Sequence, residues 1–321
     1  MSVERVCVIG GGVIGSLLAA HLARVCDVSC LVRRDEHAAA LGRDGLRVSG
    51  KSDFVATVRA STDVRELAPF DLAIVATKAL HVDASVAPLA GLVPDAAVMT
   101  VQNGIGSEKV VQRHGAWPII SGVTFMSGTR HSDSHVEYEL DTPTWIGPFA
   151  GTSTSPDLVE EVAGLIRAGG LAAEALPDLL PAQWSKLIFN SAVNAVAATT
   201  GLPHVRRYAD TTEVDDLGHV VRGMMDEGKA IAAAAGIDLH DDPWEMNVRA
   251  VSRGSTSEGE YAHPPSMLED VRSRRPTEID FITGALVREA ERLGVPAPLN
   301  AALYRLVRGV EASWGTPGAS P

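Results

Sequence analysis

The chain has 321 residues, of which 45% are hydrophobic and 21% charged, ordinary globular values that exclude a disordered or fibrous chain. That length suits two domains of about 150 residues each better than one core, and predicts a cleft between them. The formal net charge of -12 speaks against a nucleic-acid partner, because binding a phosphate backbone takes clustered Lys and Arg, and Arg272-Ser273-Arg274-Arg275 is too short a run to supply them.

Nowhere do about 18 apolar residues run uninterrupted, the length a membrane span needs. The apolar run from Val6 meets glycine at Gly10, too early for a signal-peptide core. No membrane partner and a cytoplasmic location are expected. Cys7, Cys26 and Cys30 are odd in number and lack metal or disulfide spacing, so they read as buried free thiols in a reducing compartment.

In chain order, Arg5 to Ile9 is a short buried-strand pattern and Val13 to Ala23 a helix, with a glycine turn between them. Val28 to Val32, Leu72 to Ala76 and Ala97 to Val101 are further strands, and strands alternating with helices predict a parallel sheet. From Gly122 to Phe149, Val136, Tyr138, Trp145 and Ile146 predict more strands closing that sheet. A helix from Pro156 to Ala168 follows. After Pro177 the pattern is helical: Pro181 to Thr199, Val214 to Ala235, Pro265 to Arg272, Pro276 to Leu293 and Asn300 to Trp314. The fold class is therefore α/β, an N-terminal Rossmann-type doubly wound domain over residues 1–176 followed by an all-α domain over 177–321.

Gly10-Gly11-Gly12-Val13-Ile14-Gly15 fits the dinucleotide pattern G-x-G-x-x-G in the context that gives it meaning, between a strand and a helix. Gly10 permits the turn, Gly12 lets the backbone approach a pyrophosphate, Gly15 lets helix and strand pack, and the helix start at Val13 and Ile14 offers N–H groups to phosphates. At the end of the second strand, where an acid selects NAD and an arginine NADP, stand Arg33 and Arg34. A guanidinium pairs well with phosphate, which favours NADP(H), while Asp35 and Glu36 keep NAD(H) open. Lys78, just past the third strand, is either a second cation at the cofactor or an ordinary surface lysine.

In the helical half Lys186, Asn190 and Asn194 are spaced by four and form one polar stripe about 12 Å long on a helix otherwise apolar around its circumference. Buried polar groups need partners; a substrate cleft or an internal hydrogen-bond network would supply them. Glu278, two residues after Pro276, reads as an acid in the first turn of a helix, where it complements the dipole and could also orient a lysine.

These residues together resemble the ketopantoate reductase (2-dehydropantoate 2-reductase) family over nearly the whole chain. The resemblance rests on Gly10 to Gly15, Lys78, Gln102-Asn103-Gly104-Ile105-Gly106, the stripe of Lys186, Asn190 and Asn194, and Ser266-Met267-Leu268-Glu269-Asp270 leading to Arg275-Pro276-Thr277-Glu278-Ile279-Asp280. It implies NADPH-dependent reduction of a 2-oxo acid, with Lys186 as general acid and Glu278 as its catalytic partner. It also implies that Asn103, Asn190, Asn194 and Ser266 hold substrate or orient cofactor, and that Arg33 takes the 2′-phosphate. No metal is needed for that chemistry, and a homodimer is compatible with the architecture.

The chain departs from the family pattern at His81, where Gln is common, at Ser134 and His135 in the strand region, and at His263 and Pro265 before Ser266. A reductase of the same architecture acting on another oxo acid or an imine is thus a second reading, and a non-catalytic NADP(H)-binding module a third. His131 and His135 are four apart but lack a third metal ligand. His240-Asp241-Asp242-Pro243 reads as a capped helix start.

Overall fold

The structure, a computed structural model, describes residues 2–209, 216–253 and 264–315. They belong to two compact units, one drawn from Met1–Gln102 and Gly106–Leu179, the other from Asn103–Ile105 and Leu180–Pro321. Among the described residues no helix is long and apolar enough to cross a membrane.

The first unit runs β1 (Arg5–Ile9), α1 (Val13–Leu22), β2 (Asp27–Leu31), α2 (Asp35–Asp44), β3 (Leu46–Gly50), β4 (Phe54–Ala56), β5 (Arg59–Ser61), β6 (Leu72–Val75), α3 (Val82–Val86), β7 (Ala97–Thr100), α4 (Ser107–Gln112), β8 (Ile119–Thr124), β9 (Ser127–Ser132), β10 (His135–Leu140), β11 (Thr144–Pro148), α5 (Pro156–Ala168) and β12 (Ala173–Ala175). Eight strands form one sheet in the order β12-β11-β8-β7-β6-β1-β2-β5. From β8 to β5 every pairing is parallel.

Alternation along the strands builds a core on each face. Val6, Val8, Leu72, Ile74 and Met99 join Leu17, Leu18, Val159 and Ile166 of α1 and α5 on one side. Cys7, Ile9, Ala73, Val75 and Val98 join Val82, Val86, Val111 and Trp117 on the other. All three cysteines are free thiols, Cys7 and Cys30 buried and Cys26 partly so. Burial pushes the Cys7 thiol up to about 11 and Cys30 to about 12, which leaves them protonated and unreactive at neutral pH.

The strands between Gly122 and Phe149 do not all close the main sheet. Only β8 and β11 lie in it; β9 and β10 join β3 and β4 in a second sheet of order β4-β3-β10-β9. The run Thr129 to Ser132 is exposed, and such a strand has no place between buried neighbours.

The second unit is helical: α6 (Leu180–Thr200), α7 (Asp216–Ala234), α8 (Pro243–Arg253), α9 (Ser266–Arg272), α10 (Thr283–Leu293) and α11 (Pro298–Ser313). Helix α6 is central, packed against the other five and buried almost continuously from Ala182 to Ala198. The expected start of α7 at Val214, and His263, lie outside the described residues. Helix α8 starts as read, with Asp242 Oδ1 accepting from the Trp244 and Glu245 amides at 2.8 and 3.1 Å.

The expected helix from Pro276 instead begins at Thr283. Residues up to Ile282 form a separate turn in which the Glu278 carbonyl accepts from the amides of Phe281 and Ile282. Ile282, at φ -104° and ψ -92°, leaves the helical region and stops that turn from continuing into α10.

Candidate active site

In the first unit the glycine loop leaves β1 and enters α1. Gly10 has φ +111°, and a Cβ there would lie 2.9 Å from the Thr77 amide nitrogen; a Cβ at Gly15 would lie 2.0 Å from the Gly10 carbonyl oxygen. Both positions are closed to any side chain. A Cβ at Gly12 would meet nothing within 4 Å, so this glycine borders open space.

Gly12 caps α1 without a side-chain hydrogen bond, and the first turn of α1 contains no acid. The first intrahelical bond runs from the Ser16 amide to the Gly12 carbonyl at 2.9 Å, which leaves the N–H groups of Val13, Ile14 and Gly15 without an intrahelical acceptor. A helix start with no acid in its first turn beside a gap fits the pyrophosphate of a dinucleotide.

The two arginines after β2 differ in their engagements. Arg34 Nη2 donates to Asp133 Oδ1 at 2.5 Å, and Arg130 approaches the same carboxylate at 3.4 Å. Arg33 is exposed, and its charge acts with that of Lys78 on His81. Asp35, a candidate ribose acceptor, takes a hydrogen bond from Thr62 Oγ1 at 2.7 Å.

Sequence reasoning missed three residues around this loop. Gln102 donates through Nε2 to the carbonyls of Val75 and Thr77 at 2.7 and 2.9 Å, tying down the end of β6, while its Oε1 is buried without a partner among the described residues. The ring of His37 fills the room a side chain at Gly11 would take, 2.4 Å from an added Cβ. Asp133 holds Arg34. Only Gln102 carried a signal, its place directly before Asn103-Gly104; the other two depend on contacts from distant segments.

In the second unit the stripe falls on α6 as spaced, with Lys186, Asn190 and Asn194 each less than a tenth exposed. Asn190 Nδ2 donates to Asn103 Oδ1 at 3.4 Å, and Asn194 Oδ1 accepts from the Met267 amide at 3.4 Å. Ser266, at the start of α9, is exposed. Asn103 comes to this unit on a loop in which Gly104, at φ +90°, passes so close to the Phe281 carbonyl that a Cβ would lie 2.1 Å from its oxygen. The Ile105 amide donates to that carbonyl at 3.3 Å.

Other side chains of α6 fix it in place. Ser191 Oγ donates to Asn300 Oδ1 at 2.7 Å, and Asn300 Nδ2 donates to the Met224 carbonyl and Glu227 Oε2 at 3.0 and 2.8 Å. An internal network anchored on Ser191 therefore exists beside the stripe.

Glu278 sits in the turn before α10 and is also less than a tenth exposed. The preceding residue holds that turn: the Thr277 amide and Oγ1 both donate to Glu311 Oε1 of α11, at 2.8 and 2.7 Å. Burial brings the Lys186 ammonium down to about 8, and the charge of Glu278 opposes the fall. A lysine so placed exchanges its proton near neutral pH, as a general acid must.

His131 Nε2 lies 2.8 Å from Glu137 Oε2 and His135 Nε2 2.8 Å from Ser49 Oγ.

Residues 6–151 match the family described as ketopantoate reductase PanE/ApbA, and residues 178–311 its C-terminal region. The 2-dehydropantoate 2-reductase of Pyrococcus horikoshii is 30% identical over 311 residues, covering 97% of this chain and 99% of that one. The chain belongs to the ketopantoate reductase family. A PanE/ApbA family ketopantoate reductase from Ralstonia eutropha JMP134 superposes with a TM-score of 0.85 at 25% identity, over 98% of this chain and all of that one. D-mandelate dehydrogenase, in a ternary structure with NADH and anilino(oxo)acetate, shares the fold with a TM-score of 0.83 at 21% identity, over 98% and 100%. Ketopantoate reductase family membership makes this protein an oxidoreductase with a Rossmann-type α/β unit and a helical C-terminal unit.

Proposed function

We propose that this protein reduces 2-dehydropantoate to pantoate with NADPH. The observation that carries the reading is the Lys186, Asn190 and Asn194 stripe on α6, buried in one unit with Glu278. A buried ammonium whose affinity for its proton has been tuned down is a donor, and a binding module has no use for one.

The N-terminal unit would hold the cofactor: Gly10, Gly12 and the α1 amides of Val13, Ile14 and Gly15 at the pyrophosphate, Arg33 and Lys78 at the 2′-phosphate. When bound, NADPH supplies the hydride that reduces the C2 carbonyl of the substrate. Lys186 stabilises the charge growing on the carbonyl oxygen and passes its proton to it. Glu278 keeps Lys186 charged until then. Asn103, Asn190, Asn194 and Ser266 hold the substrate carboxylate and hydroxyl, or orient the cofactor, without adding charge.

The test is the initial rate of NADPH oxidation with 2-dehydropantoate beside a panel of other 2-oxo acids, for wild type and Lys186→Ala. Saturable turnover that disappears in the variant is the expected result. Undiminished turnover in Lys186→Ala would overturn the assignment, and turnover confined to another oxo acid would favour the second reading, to which the departure at Pro265 belongs.

A further inference from the structure

His81 has no part in the function just proposed, yet its location gives it one. Strands β2 and β6 flank β1 in parallel, so their C-terminal ends open on the same edge of the sheet as the glycine loop. Arg33 lies two residues past β2 and Lys78 three past β6. One turn of 3-10 helix, Ala79–His81, then closes with the His81 amide donating to the Lys78 carbonyl at 2.8 Å. The imidazole is exposed at this edge.

Three basic groups from two strand ends therefore come to one edge of the sheet, and the charges of two of them reach the third. The charges that act on the ring are both positive, those of Arg33 and Lys78; they and, more strongly, burial of part of the ring hold its proton affinity below the usual histidine value. No acid is among the charges that act on the ring; Glu36, on α2, is exposed, and other acids of the surrounding elements have partners of their own. Asp83, on α3, contacts His114 Nε2 at 3.0 Å and Arg113 at 3.6 Å, and Asp35, on α2, bonds Thr62. Helix α4, packed on α3, brings Glu108, whose Oε1 takes a hydrogen bond from Thr100, and Lys109.

Resting on the reading that the cofactor is NADP(H), we propose that His81 is a third, titratable cation of the 2′-phosphate site, so that binding the phosphorylated cofactor draws a proton from solvent onto its imidazole. Before the cofactor binds, a neutral imidazole spares the site the repulsion of a third positive charge. The arriving phosphate carries close to two negative charges at neutral pH, reverses the local field and favours the imidazolium. The glutamine common at this position in the family pattern cannot change charge in this way. NADH lacks the phosphate and should leave the ring as it was.

The experiment is calorimetric titration of NADPH and of NADH into wild type, His81→Gln and His81→Lys, in buffers of different ionisation enthalpy between pH 6 and 8. Wild type is expected to take up a fraction of a proton with NADPH and none with NADH. Its NADPH affinity should fall by about tenfold more across that range than that of His81→Gln, the size of a one-unit change in pKa. His81→Lys, permanently charged, should keep NADPH affinity at pH 8 without proton uptake. Equal uptake in wild type and His81→Gln, with NADPH still preferred to NADH, would overturn the role of His81 alone. No preference for NADPH at any pH would overturn the NADP(H) reading and the proposal with it.

Discussion

Glu278 opposes the loss of proton affinity that burial imposes on Lys186, which would otherwise stand further below its present value of about 8. With Lys186 as the proton donor proposed above, kcat/KM for the oxo acid should fall as pH rises through about 8. Glu278→Gln removes the opposing charge and should move that fall to lower pH. A pH profile of the two proteins measures it; superimposable profiles would show that Glu278 does not tune the acid.

Lys186 should also weaken the fold. Its proton is held less tightly in the folded protein, at about 8, than at the ordinary lysine value of 10.5, a penalty of about 3 kcal/mol while both states are protonated. The penalty is complete below about 8 and is relieved as pH rises from there toward 10.5. Lys186→Met alone would strand the buried Glu278 carboxylate, so Lys186→Met combined with Glu278→Gln should melt several degrees higher than wild type at pH 7, the advantage shrinking in alkali, while turnover drops by about 10²- to 10⁴-fold. Thermal melts at pH 7 and 10 check this. A less stable variant at pH 7 would mean that bonds to the ammonium outweigh its burial.

Arg33 and Arg34 are adjacent in sequence and unequal in structure. With Arg34 held by Asp133 at 2.5 Å, Arg33→Ala should cost about tenfold or more in NADPH affinity and little in NADH affinity, in keeping with a charge-assisted bond to phosphate. Arg34→Ala should weaken the two alike or not at all. Fluorescence titration of both cofactors distinguishes them, and equal losses in Arg33→Ala would remove it from the phosphate.

Gly12 and Gly15 should fail differently. At Gly12, where φ is -78° and a Cβ meets nothing, alanine should leave the melting temperature unchanged and abolish tight NADPH binding. At Gly15 the Cβ would collide with the Gly10 carbonyl, and alanine should destabilise the unit by about 1–3 kcal/mol. A Gly12→Ala protein that still binds NADPH would show that the open space is not the cofactor's.

What was legible in the sequence was whatever local pattern fixes. Arg5 to Ile9, Pro156 to Ala168 and the four-residue spacing of Lys186, Asn190 and Asn194 could be read directly, because a short apolar run and helical period are properties of short segments. The second sheet was hidden because β3 finds its partner β10 nearly ninety residues later, and short polar strands carry no mark of such a pairing. Glu278 was misplaced for a related reason. Pro276 does favour a helix start, but anchoring of Thr277 to Glu311 decides the turn, and that bond spans 34 residues. Asn103 stood out through its place in Asn103-Gly104, yet nothing local told that it would meet Asn190.

The Asn103–Ile105 loop breaks the correspondence between linear order and structural unit. Halves exchanged between relatives at the apparent border near Leu180 would bring a foreign strand-end loop against the native Phe281 carbonyl and Asn190, and any chimera would inherit that mismatch at a glycine with no slack. Exchange of residues 103–105 together with the helical half would preserve the contact. In evolutionary terms the two halves are not free to be shuffled at one breakpoint, and a glycine kept at 104 whatever residue stands at 281 is the trace this constraint should leave.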